Sequence, residues 1–256
     1  MDKLLMYLGE DLVINDKITV HQPSIIDIAR HGEKKYFNTI YTLCSIPSDF
    51  KSELWDMGYT FSDVGDFECF ILLTRTLDTE DTRLILGDVI SLKNMVPVRS
   101  AENGELVLLD KENEIIIDEF IYDQIVEYLR EVHGIRPKRE RAANKETLEI
   151  LIAEDRTKKL TKKNEPDEGS FLLPLISSMV NSPGFKYDIE KLKTLGIYSF
   201  MDSVQRIQAI STANSISQGL YSGMVDMSKN KNLQNQLNWL RDLSKDKHHS
   251  SNVTVN

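Results

Sequence analysis

The stretch DEFIYDQIVEYLREVHGIRP, from Asp118 to Pro137, narrows the fold more than any other part of this 256-residue chain. Phe120, Ile121, Ile125, Tyr128, Leu129 and Val132 recur at helical spacing and so share one face. Asp118 is placed to cap the first turn, and Gly134 with Pro137 stops the last. A helix with so wide an apolar face has to be covered by other elements.

The covering elements are legible on both sides. DLVINDKITVHQ sets Leu12 and Ile14 against Ile18 and Val20 around Asn15-Asp16, the pattern of a hairpin. Ser24 followed by Asp27 predicts a capped helix start, continued through Tyr36, Ile40 and Leu43 with a break at Gly32. Ser48 is the predicted N-cap of a helix over Phe50, Leu54 and Met57 that Gly58 ends, and SDVGDFECFILLTRTL predicts a further, buried helix. From Thr82 to Ile117 short Val/Ile/Leu runs alternate with turn-like SAENGE and DKENE, which predicts three or four antiparallel strands.

Downstream, TKKNEPDEGS (Thr161 to Ser170) reads as the main boundary before a wholly helical region. There Ile197, Phe200, Val204, Ile207 and Ile210 form a stripe, and Leu233, Leu237 and Leu240 form another beside Trp239. The fold class expected is therefore α+β and mainly helical. Residues 1–81 hold an N-terminal hairpin plus helices, 82–134 a β-rich insert with its helix, 135–170 a charged helical linker, 171–243 a C-terminal helical domain, and 244–256 a disordered tail.

Charge is unevenly placed. Residues 1–134 carry 26 acidic and 12 basic side chains, a net of −14, whereas residues 135–163 carry 5 and 10, a net of +5. The acidic half disfavours nucleic acid as a direct partner, because binding a polyanion depends on neutralising its phosphates. The basic segment 136–163, with Arg136, Lys138, Arg139, Lys158 and Lys159, is the one place for such contact. A solvated helix or linker is the plainer reading of it, with docking on an acidic surface beside that. A mean hydropathy of −0.32 and the lack of a run of about 20 apolar residues argue against membrane insertion. The N-terminus has no small-residue cleavage site, so a secretory signal is not expected and a cytosolic origin follows.

Motif chemistry is thin. Cys44 and Cys69, in YTLCSI and FECFILL, fit neither a zinc spacing nor a redox pair and read as buried thiols. His21, His31 and His133 lack ligand spacing, and Asp63, Asp66 and Glu68 suit a helix start better than acid-base work. Gly219 and Gly223 form a GxxxG among serines and asparagines, not within an apolar span, and no Lys-Ser or Lys-Thr follows them as a phosphate loop requires. That leaves a helix-to-helix passage. Tyr221, Met224, Met227 and Trp239 supply its apolar contacts, with core packing favoured over an exposed partner surface. Neither an enzyme nor a cofactor or metal is expected.

PSIIDIARHGEKKYFNTIYTLCSIPSDFKSELWDMGYTFSDVGDFECFILL (residues 23–73) and YSFMDSVQRIQAISTANSISQGLYSGMVD (residues 198–226) carry a resemblance. Together with the preceding hairpin, they resemble proteins encoded in tail-gene clusters of bacteriophages that infect Gram-positive bacteria. Such proteins are tail assembly chaperones or tail and baseplate components. The resemblance implies a non-enzymatic protein working through protein-protein contacts, with other phage tail proteins such as the tape measure or the tail tube as partners, and with self-association into a homo-oligomer left open. It would act in the host cytoplasm during assembly or in the virion tail. The alternative is a regulatory or nucleic-acid-associated module using the basic segment.

Overall fold

A computed structural model describes residues 2–100, 104–164, 169–224 and 232–243. In chain order it runs α1 (Lys3–Tyr7), β1 (Leu12–Val13), β2 (Thr19–Val20), α2 (Ile25–His31), α3 (Glu33–Cys44), a 3-10 turn (Pro47–Asp49), α4 (Lys51–Asp56), α5 (Asp66–Thr74) and α6 (Thr79–Leu86). A second 3-10 turn (Leu92–Asn94) leads into β3 (Val96–Arg99), β4 (Leu106–Asp110) and β5 (Ile115–Ile117). Then come α7 (Glu119–His133), α8 (Lys145–Asn164), α9 (Leu172–Val180), α10 (Ile189–Lys193), α11 (Ile197–Tyr221) and α12 (Asn232–Leu237). The fold is mainly helical α+β, with an antiparallel β1–β2 pair and an antiparallel sheet in the order β3-β4-β5.

Local chemistry accounts for most boundaries. The Ser24 side chain and Asp27 form a reciprocal capping box at α2, and Gly32, at φ 103°, separates α2 from α3. Asp118 Oδ1 accepts from the Ile121 N–H at 2.8 Å, and Gly134 closes α7 in the left-handed conformation that glycine adopts most cheaply. The three-stranded sheet turns Ile115 and Ile117 inward and Ile116 outward, as the period-two rule requires.

Two local expectations are corrected. Residues 82–86 belong to α6 and not to a strand, so the insert contains three strands beginning at Val96. The cause is a second capping box: Asp78 accepts from the Asp81 N–H at 3.2 Å while the Asp81 carboxylate accepts from the Asp78 N–H at 3.0 Å. Ser48 does not cap α4. It lies in the 3-10 turn, where its Oγ accepts from the Glu140 N–H at 3.0 Å.

α7 buries seven side chains in the core. Tyr122 meets Phe70 at 4.9 Å and Phe67 at 5.3 Å between ring centroids, Tyr128 donates to the Glu10 carbonyl, and the Arg130 guanidinium holds the Cys44 carbonyl with two nitrogens at 2.8 and 3.0 Å. Phe120, expected on the apolar face, is instead exposed. The buried cluster built on α7 does not stop at residue 170: Leu172, Met179, Leu192, Ile197, Phe200 and Val204 join it with side chains from the first third of the chain. An antiparallel bridge at Ser24 and Gly196 ties the two segments, the Ile25 N–H donating to Leu195 O at 3.0 Å and the Ile197 N–H to Pro23 O at 3.2 Å. The Ser199 hydroxyl donates to the Tyr7 carbonyl, and Glu33 accepts from the Leu172 N–H at 2.6 Å. Residues 171–207 and residues 1–134 thus share one core.

Candidate protein-contact surface

Four elements converge at one edge of this core. The first half of α11 buries Ile197, Phe200 and Val204, while Ala209, Ala213 and Ile216 of its second half are buried where α12 packs beside it. The chain after α12 lies beside α11, and the Arg206 guanidinium donates to the carbonyls of Trp239 and, at 3.0 Å, Arg241. Leu243 then buries its side chain. Lys3 of α1 pairs with Glu131 of α7 at 2.7 Å, and that hydrogen bond raises its pKa, with Asp242 contributing a further favourable charge. Asp202 is pushed upward by burial, which Arg206 partly offsets. Around this junction Leu4 (64% exposed), Leu8 (68%), Leu240 (72%) and Trp239 (44%) face solvent. These exposed Trp and Leu side chains, gathered where α1, α11 and the chain after α12 meet, make this junction a candidate contact surface.

The sequence-based contact residues are not brought together. Tyr221 and Met224 lie at the far end of α11, 94% and 87% exposed. Fifteen residues separate Tyr221 from Arg206, where Trp239 sits, about 22 Å at the helical rise. Met227 lies outside the described residues, as does the proposed tail 244–256. The expectation of core packing for Tyr221, Met224 and Trp239 is therefore corrected. So is the single Leu233–Leu237–Leu240 stripe, because α12 ends at Leu237 and Leu240 points outward from the turn beyond it. Six residues make too short a helix to hold such a stripe. Leu4 and Leu8 were missed; their signal was the apolar run KLLMYL after the Asp2 cap, whose Oδ1 accepts from the Leu4 N–H at 2.8 Å.

The basic segment is folded onto the chain's own acidic half. Arg139 pairs with Asp66 through both terminal nitrogens, at 2.5 and 3.0 Å. Arg136 pairs with Glu131 at 2.8 Å and Lys138 with Glu140 at 3.4 Å. Lys159 reaches Glu53, Asp155 and the Asp49 carbonyl, and its ammonium lies 5.1 Å from the Phe50 ring centroid. Lys158 is exposed. Four of the five cations singled out in this segment thus already face carboxylates, which reduces the positive field available to phosphates.

A cavity of about 550 Å³ opens between α3, the end of α7 and the start of α11, lined by Phe37, Ile40, Cys44, Asp49, His133 and Phe171 among others. Burial pushes the Cys44 and Cys69 thiols up to about 12, so neither is a thiolate at neutral pH. His133 Nδ1 lies 2.7 Å from the Leu129 carbonyl, which can only accept, so Nδ1 carries the proton and Nε2 accepts from the Tyr36 hydroxyl at 2.8 Å. Burial holds this imidazole down to about 4, and it stays neutral. Among the described residues no group of three His, Cys, Asp or Glu side chains is placed to hold a metal, and no helix is long and apolar enough to cross a membrane.

Comparison with known proteins adds one finding. Residues 162–244 match the family model described as the YomV second domain, a phage-associated family. The match covers α9 to α12, which carry Trp239, Leu240, Tyr221 and Met224. No curated protein and no solved structure matches the chain.

Proposed function

We propose that the protein works without catalysis, through protein-protein contacts in phage tail assembly, as an assembly chaperone or as a tail or baseplate component. The observation that carries this reading is the set of outward apolar side chains at the α1–α11 junction, Leu4, Leu8, Trp239 and Leu240, two of which lie within the stretch that matches a phage-associated family. Large apolar groups cost free energy in water, at roughly 25 cal/mol per Å², and a partner that covers them recovers it. Tryptophan is the residue most enriched among side chains that dominate binding. The partners of this reading are other tail proteins, the tape measure or tube among them, met in the host cytoplasm during assembly or within the virion tail; nucleic acid is not among them.

Mass spectrometry of purified virions, beside affinity isolation from infected cells, tests the reading. A structural component stays with the particle at stoichiometric level. A chaperone is absent from the particle but isolates with a tail protein before assembly. Recovery from neither, with normal particles formed without the protein, rejects the proposal.

A further inference from the structure

The helix α8 is long but weakly rooted. Of its described side chains only Ile152 and Asp155 are buried, against seven in the shorter α7. Its neighbour is α4, and several polar contacts join the two. The Asp155 carboxylate accepts from the Ser52 hydroxyl at 2.6 Å and the Ser52 N–H at 3.0 Å, Arg156 pairs with Asp56, and Lys159 pairs with Glu53. These partners lie 100 residues or more apart in sequence, so local chain geometry does not supply them. Within α8, Lys145–Glu149 and Asp155–Lys159 are spaced to support the helix whether or not it is docked. A helix of this length also persists better on its own than a short one. The segment leading into it, residues 135–142, has no helical or strand structure.

With Ile152 its one buried apolar side chain and Leu148 and Leu151 only half-buried, α8 depends heavily on charge to hold it to α4, and partly exposed ion pairs weaken as salt screens them. We infer that α8 is a releasable strap: it lies across α4 at low ionic strength and lifts from it as ionic strength rises, while the core around α7 stays folded. Lifting bares Ser52, the Phe50 ring and Ile152, a mixed polar and apolar face that the closed chain keeps from other proteins.

Hydrogen exchange on the full chain tests this at low salt and at about 0.5 M sodium chloride, where the screening length falls to roughly 4 Å. Protection of α8 amides is expected to drop about tenfold or more with salt, with α7 amides unchanged. The Arg156→Glu/Lys159→Glu protein is expected to show the lowered α8 protection already at low salt, with α7 again unaffected. The inference is overturned by α8 protection that does not respond to salt, by loss only together with α7, or by no α8 protection at either concentration.

Discussion

Acid should destabilise this protein through one buried imidazole, and the size of the effect follows from its surroundings. His133 is buried at the end of α7, its Nδ1 donating to Leu129 O and its Nε2 accepting from Tyr36. A second proton on Nε2 would face the Tyr36 hydroxyl, which would have to turn its own hydrogen elsewhere, and burial withholds much of the water that would solvate the charge. The folded value is therefore held down to about 4, against an ordinary 6.5. The unfolded chain takes up a proton as pH drops below 6.5 and the folded chain does not. Stability from this group is complete above 6.5 and falls as pH descends toward 4. At about 1.4 kcal/mol per unit, the loss across that window is about 3 kcal/mol, a large share of a typical domain's stability. Urea unfolding followed by circular dichroism, at steps from pH 7 to 4, should show it in the wild-type chain and not in His133→Gln. Acid loss from carboxylates is common to both proteins and cancels in the comparison. Identical pH dependence in the two proteins would refute the argument, as would an NMR titration of the His133 ring with a midpoint near 6.5.

Three further outcomes are expected. Trp239→Ala should cost only about 1–2 kcal/mol, since nearly half of the ring is already in water, while association with the partner is lost; a loss above 3 kcal/mol in thermal melting would return Trp239 to the core. Gly196→Ala should destabilise by about 1–2 kcal/mol, because its Cβ would collide with Gln22 Oε1 while Gln22 Nε2 is held by the Met6 carbonyl; an unchanged urea midpoint would show that Gln22 gives way freely. Brief trypsin treatment should cut between Arg136 and Arg141, in the exposed irregular segment before α8, yet leave the two fragments bound to each other through the shared core. Fragments that separate on gel filtration would instead support independent domains.

What could be read from residues alone was set by short-range chemistry. The caps at Ser24 and Asp118, the stop at Gly134, the Leu12–Val20 hairpin and the three strands from Val96 all depend on groups within a few positions of one another. The α6 helix is also announced locally, by Asp78 and Asp81, although the run LIL in TRLIL is β-prone by composition. Contacts across the chain were not legible. Nothing in GIYSF reveals that Gly196 bridges to Ser24, and nothing in RTKKLTKK reveals that Lys159 finds Glu53. The candidate surface shows the same division. Trp239 stood out by type, but its exposure depends on α12 ending at Leu237 and on Arg206 holding the turn beyond, and Leu4 and Leu8 join it only through the packing of α1 on α11.

Photo-crosslinking in infected cells examines the central claim directly. A photoreactive amino acid placed at Leu240, and in a second protein at Leu8, should each give a covalent adduct with the same phage tail protein, and Trp239→Ala in the same chains should abolish both adducts. The same probe at Glu112, exposed at the turn between β4 and β5, should give none. No adduct at Leu240 or Leu8 in cells that yield normal particles, or adducts equally strong at Glu112, would contradict a contact surface at the α1–α11 junction.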